Sequence, residues 1–229
     1  MPEKMKHLIL KAWLSLLLLP IAMGLILFCT AGTLHYWQAW DCLAAFTGGS
    51  ALVTAWLVRH DPALLERRMH GGPAAEKEPR QRIIMTFTTA GFLAHMVVPA
   101  LDHRLGWSAM PPWLPVAGDL LILIGLYIVF LVFKVNTFTA ATIQVAENQK
   151  VISTGPYAIV RHPMYAGALL YLLAMPIALG SWWGLAAFAA TLPFLIWRIF
   201  EEEQLLARQL PGYTDYCAKV RWRLLPGVF

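Results

Sequence analysis

Two short stretches hold most of the residue types that do chemistry in this chain. The first runs from Lys150 to Gly167, KVISTGPYAIVRHPMYAG, where glycine, prolines, tyrosines, an arginine and a histidine crowd together between long apolar runs. Gly155-Pro156 reads as a turn, because glycine allows positive φ and proline fixes φ near −65°. Pro163 precedes an apolar run that begins at Met164, and the first turn of a helix is where proline fits best. The free N–H groups of that turn, beside Arg161 and His162, make an anion site. The second stretch is WRIFEEEQLLARQ, residues 197–209. Arg198 and Glu202, four apart, share a helix face; Glu201, three from Arg198, lies near it, and Glu203 is expected to point elsewhere. Ionisable groups at the end of a membrane helix are costly unless they pair or face a wet cavity. A solvated helix end with a structural Arg–Glu pair is the plain alternative.

A ligand for both stretches needs several kinds of group. Glutamates bind ribose hydroxyls or an ammonium, a helix start takes a carboxylate, and tyrosine faces stack on a base or contact a sulfonium. S-adenosylmethionine offers all of these. A nicotinamide dinucleotide calls for more phosphate-binding charge, and the G-x-G-x-x-G fingerprint is absent. No cluster has metal-ligand spacing.

The elements that must position these residues are membrane helices. The chain has 229 residues, 59% apolar and 14% charged, with mean hydropathy +0.58; soluble domains sit at about 45–50% and about 25%. Apolar runs over about 11–31, 38–59, 83–101, 114–134, 163–180 and 182–200 predict an all-α, polytopic integral membrane bundle of about six hydrophobic helices. Gly180-Ser181 alone joins the last two, so they form a tight antiparallel hairpin. This brings RHPMY and REEE to the same end of adjacent helices. Pro176 and Pro193 predict kinks, and the hairpin need not cross fully. The first run is read as a retained helix, since no A-x-A site ends it. Gly32 with His35, Tyr36 and Trp37 reads as an interfacial turn, and Trp107 and Trp113 as interfacial anchors. Asp61-Pro62 starts a short amphipathic helix on the membrane surface, with Leu64, Leu65 and Met69 on one side and Glu66, Arg67 and Arg68 on the other. Gly71-Gly72-Pro73 ends it. Cys29, Cys42 and Cys217 read as buried free thiols.

Six crossings with a cytoplasmic N-terminus put every one of the 18 lysines and arginines except Arg104 on the cytoplasmic side. Lys77 is counted with them in the 59–82 segment. The expectation is a multi-pass protein of a bacterial inner membrane, with both termini and the active site cytoplasmic. Residues 1–133 form the transmembrane and amphipathic part and 134–229 the cofactor-binding core. Partners are membrane lipids and not nucleic acid. His95 reads as a helix–helix hydrogen bonder, Asp119 as facing the outer interface, His60 and His70 as surface residues, and Asn136 as a brace for the central loop.

T-G-P-Y-A-x-x-R-H-P-M-Y-A-G, then R-x-x-E-E-E-x-L, Y-x-x-Y and a final L-P resembles the isoprenylcysteine carboxyl methyltransferase family and its phospholipid methyltransferase relatives, over roughly residues 134–226. D-P-A-L-L-E-R-R and L-D-H-R-L-G-W-S resemble bacterial members. The resemblance implies S-adenosylmethionine at the cytoplasmic face and a lipid-tailed or prenylated acceptor arriving sideways from the bilayer. It implies cofactor contacts at Tyr157 after the turn at Gly155, and at His162, Pro163, Met164 and Tyr165. Gln149, Lys150, Val151 and Ile152 would lie against the adenosyl moiety, with Gln149 where the animal enzymes carry histidine. Gln144, Glu201 and Glu202 complete the cofactor set. Arg198 is implied as the catalytic residue, orienting a substrate carboxylate. Carboxyl O-methylation of an isoprenylcysteine-like acceptor is the foremost expectation; an aminophospholipid or small thiol would use the same donor site. Readings of another class are a sterol-type NADPH-dependent membrane reductase, whose chains are longer, and a non-catalytic lipid-binding protein.

Overall fold

Proline and glycine set several of the element boundaries. The structure, a computed structural model, describes residues 3–76 and 78–229; Lys77, one of the basic residues counted above, lies outside them. The helices are α1 (Glu3–Ala31), α2 (Trp37–His60), α3 (Pro62–Met69), α4 (Pro79–Leu105), α5 (Trp113–Val135), α6 (Pro163–Ala178), α7 (Gly184–Gln209) and α8 (Tyr213–Lys219), with short 3-10 turns at Pro73–Ala75 and Gly155–Ala158. Pro62, Pro79 and Pro163 each stand in a first helical turn. Asp61 caps α3, its Oδ1 accepting from the Leu64 N–H at 2.9 Å.

The chain is an all-helical bundle. α1, α2, α4, α5 and α7 are long and apolar enough to cross a membrane. α6 has 16 residues, roughly 24 Å of helix against a hydrocarbon core of about 30 Å. α7 continues to Gln209, so all three glutamates are helical. α8, in the tail, was not anticipated.

The last two long helices are less tightly paired than the short joint suggests. α6 packs chiefly on α5, and α7 chiefly on α4. Glycine is the reason on the α5 side: a Cβ at Gly118 would come 2.5 Å from the Ala178 nitrogen, and one at Gly167 2.8 Å from the Gly125 oxygen. The tips of α6 and α7 nonetheless meet. One core, including Met23, Leu27, Ala39, Met96, Ile122 and Met175, joins α1, α2, α4, α5 and α6. The 133/134 division falls in the last turn of α5, with that core on both sides of it.

Some expectations change. Tyr36 is not an interfacial anchor: it is 0% exposed, stacks on His103 and donates to the Leu179 carbonyl at 2.6 Å. It meets a backbone acceptor left free at the end of α6. His95 bonds the Gly91 carbonyl of its own helix at 2.7 Å, not a neighbouring helix. The cysteines are free, but only Cys42 is buried; Cys29 is exposed. α3 buries Leu64 and Leu65 against α1, α2 and α5 as its pattern predicts. Arg68, expected on the outer side, turns inward instead.

Candidate active site

The segments that carry almost all the basic residues gather at one end of the bundle. Here the Gly155 turn, with φ +59°, packs on Val135 and delivers Tyr157 to Asn136, whose side-chain amide donates to the Tyr157 hydroxyl at 2.9 Å. Asn136 is thus the expected brace. Pro163 starts α6, so His162, Met164 and Tyr165 project from its first turn. The Tyr165 hydroxyl donates to Glu202 at 2.7 Å and accepts from Arg198 Nε at 3.1 Å. One phenol therefore fastens α6 to α7.

The tail closes the arrangement. Glu203 receives Arg161 at 2.7 Å, His162 at 3.2 Å and Arg223 at 2.9 Å. Backbone bonds from Arg161 N to Trp222 O and from His162 N to Arg223 O lay the tail along the turn. Glu203 does point away from Glu202, and into this knot. α8 then sets Tyr213 and Tyr216 beside Tyr157; Tyr216 donates to the Tyr157 carbonyl at 2.8 Å.

The result is a narrow cleft with a cavity volume of about 110 Å³. Of the expected residues, Gln144, Gln149, Lys150, Val151, Ile152, Tyr157, His162, Met164, Tyr165, Arg198 and Glu202 line it together. Gly155, Pro163 and Glu201 do not. Gly155 shapes the turn, Pro163 starts the helix, and Glu201 faces Trp197 and Arg80 on the outside of α7. Tyr213 and Tyr216 also line the cleft and were missed as site residues. Their i, i+3 spacing, which puts both on one helix face, was the available signal. Burial, first among the causes, pushes the Tyr157, Tyr213 and Tyr216 hydroxyls up, so they remain neutral donors with electron-rich faces.

Two further residues had no signal at all. Arg198 Nη2 pairs with Glu76 at 2.8 Å and donates to the Ala141 carbonyl at 3.1 Å, while Nη1 reaches Gln81 at 3.1 Å. Glu76 is 1% exposed, although its segment reads as a charged surface loop.

The cleft suits an adenosyl amino acid. It offers a carboxylate at Glu202, three tyrosine faces and a Tyr213 hydroxyl that is buried with no hydrogen-bond partner among the described residues. Its volume is below the roughly 300–1,000 Å³ of small-molecule sites. A nucleoside would need a wider cleft than this one.

Behind the cleft lies a second cavity of about 650 Å³, mostly apolar, lined from α1 to α7. The two share Ala140, Met164, Tyr165 and Arg198 as a common wall. The phospholipid methyltransferase family model matches residues 113–211, from the start of α5 to just past α7. A comparison with curated proteins gives no match. The matched segment contains every residue lining the cleft except Tyr213 and Tyr216.

Proposed function

Residues 113–211 being a phospholipid methyltransferase domain, of the family of isoprenylcysteine carboxyl methyltransferase-like proteins, we propose that the protein transfers a methyl group from S-adenosylmethionine to a lipid-tailed acceptor. The foremost reaction is carboxyl O-methylation of an isoprenylcysteine-like lipid. The observation that carries this reading is the shared wall. A polar cleft with nucleoside-binding chemistry and an apolar chamber of lipid scale back onto the same tyrosine and arginine.

S-adenosylmethionine, when bound, supplies an electrophilic methyl group on sulfur. Glu202 holds its ribose hydroxyls or its ammonium, while Tyr157, Tyr213 and Tyr216 flank the adenosyl and sulfonium groups. Residues 149–152 form the opposite side. Met164 and Tyr165 close the floor toward the chamber, and His162 lines the cleft beside them. Displacement at such a carbon depends on positioning and exclusion of water more than on proton transfer, and a carboxylate acceptor is already ionised at neutral pH. Arg198 fixes the Tyr165 hydroxyl and the α7 face, so its part is to hold the wall. The basic end faces the cytoplasm on this reading, because the positive-inside rule places it there.

A second reading, N-methylation of an aminophospholipid, is favoured by the name of the matched family. Detergent-purified protein is incubated with methyl-labelled donor and either mixed phospholipids or prenylcysteine analogues. Label in the prenylcysteine fraction supports the first reading and label in aminophospholipid the second. Binding of NADPH without S-adenosylhomocysteine binding would sink both.

A further inference from the structure

Arg198 is poorly placed to receive an acceptor's anion, because Glu76, Gln81, Tyr165 and the Ala141 carbonyl already occupy most of its guanidinium. A different arginine stands open. Arg68 turns from α3 into the apolar chamber it lines. Its Nη1 donates to the Ala140 carbonyl at 2.7 Å and lies 3.7 Å from the Met164 sulfur. The guanidinium sits over the Phe133 ring, 5.4 Å from its centroid. Its Nε and Nη2 make no hydrogen bond among the described residues, and no carboxylate there lies within ion-pair distance. Arg68 sits deep in the molecule, is only partly covered, and lines the chamber. Glu202 and Arg198 act on it from farther away with opposite signs, and Tyr165 and Tyr171 stand near it.

Burial disfavours the charge on Arg68, but a guanidinium does not lose its proton in a protein. A deep cation without a counter-ion is costly, and its free fork matches a carboxylate or a phosphate. The chamber around it takes an aliphatic tail. We propose that Arg68 is the acceptor's anion receptor: it binds the oxyanion of a tailed lipid at the junction of chamber and cleft. This deepens the methyltransferase reading and rests on it for the meaning of "acceptor", but the binding itself does not.

The test is ligand binding to detergent-purified full-length protein, followed by tryptophan fluorescence. One pair of probes is N-acetyl-S-farnesylcysteine and its methyl ester; the other is a dioleoyl phosphodiester lipid and dioleoylglycerol. The wild type should bind one anionic probe about tenfold or more tightly than its neutral counterpart. Which pair shows the difference tells a carboxylate from a phosphodiester. Arg68→Gln should abolish that preference, Arg68→Lys should keep part of it, and Arg67→Gln, whose side chain bonds Thr137 at the surface, should keep all of it. No preference in the wild type, or an unchanged preference in Arg68→Gln, overturns the proposal. If Arg68→Gln does not fold, an Arg68→Lys protein with wild-type preference overturns it equally. S-adenosylhomocysteine binding is measured on the same samples. Its absence from the wild type would count against the methyltransferase reading and leave the Arg68 result standing.

Discussion

The two ends of the bundle both bury a carboxylate, and they use it differently. At the far end Asp102, 2% exposed, accepts from the Ser108 N–H at 2.7 Å, from the Ser108 hydroxyl and from the Ser181 hydroxyl. These partners tie the end of α4 to the two neighbouring connections, and the knot is closed. At the basic end Glu76 is as deeply buried, but its partner Arg198 is one wall of two cavities. A polar cluster whose groups are all paired stabilises. A polar cluster that leaves a tyrosine hydroxyl orphaned and an arginine fork free has capacity left for a ligand. The difference between a clasp and a site is unused hydrogen-bonding capacity next to a cavity.

Arg198→Ala should have the largest effect. It strands Glu76 as an unpaired buried charge, which costs about 3–5 kcal/mol, and it frees Tyr165. Methyl transfer should fall further than S-adenosylhomocysteine affinity, and adding Glu76→Gln should restore part of the thermal unfolding midpoint but not turnover. Full recovery of turnover in the double variant would place Arg198 outside the reaction.

Asp102→Ala tests the other end. It leaves three donors without their acceptor and should cost about 2–3 kcal/mol in stability, while S-adenosylhomocysteine affinity of the folded protein stays constant. A parallel loss of affinity would show that the ends are coupled and break the contrast.

Glu202→Gln reverses the pattern. The amide still accepts from Tyr165, so the unfolding midpoint should barely move. Loss of the charge should weaken S-adenosylhomocysteine binding about tenfold, as titration calorimetry would read. Unchanged affinity would remove Glu202 from the cofactor site. Tyr157→Phe is the mildest change: it loses the Asn136 bond, worth about 1 kcal/mol, and should weaken cofactor binding only a few-fold.

Much of this is legible in the sequence. Apolar runs about as long as a hydrocarbon core is thick mark the helices fit to cross a membrane, and Asp61-Pro62 marks the start of α3. The Gly155 turn and Pro163 marked where backbone leaves and enters a helix. The short joint between α6 and α7 forced RHPMY and REEE to the same end, and the Tyr165–Glu202 bond at 2.7 Å joins them. Other features had no local trace. Of three consecutive glutamates, Glu201 faces outward, Glu202 the cleft and Glu203 the tail. Each step is about 100° around the helix, so the choice depends on how α7 is rotated against α4 and α6.

By itself the sequence determined what is local or set by solvent: which long segments are helical, which are apolar enough for a membrane, and where several turns and caps fall. These depend on a residue and its near neighbours. Only the tertiary structure decided that Glu76 and Gln81, from a segment reading as charged surface, lock Arg198, and that Arg68 faces a chamber instead of water. A buried charge is identified by partners more than a hundred residues away, or by having none, and neither condition leaves a mark on the chain around it.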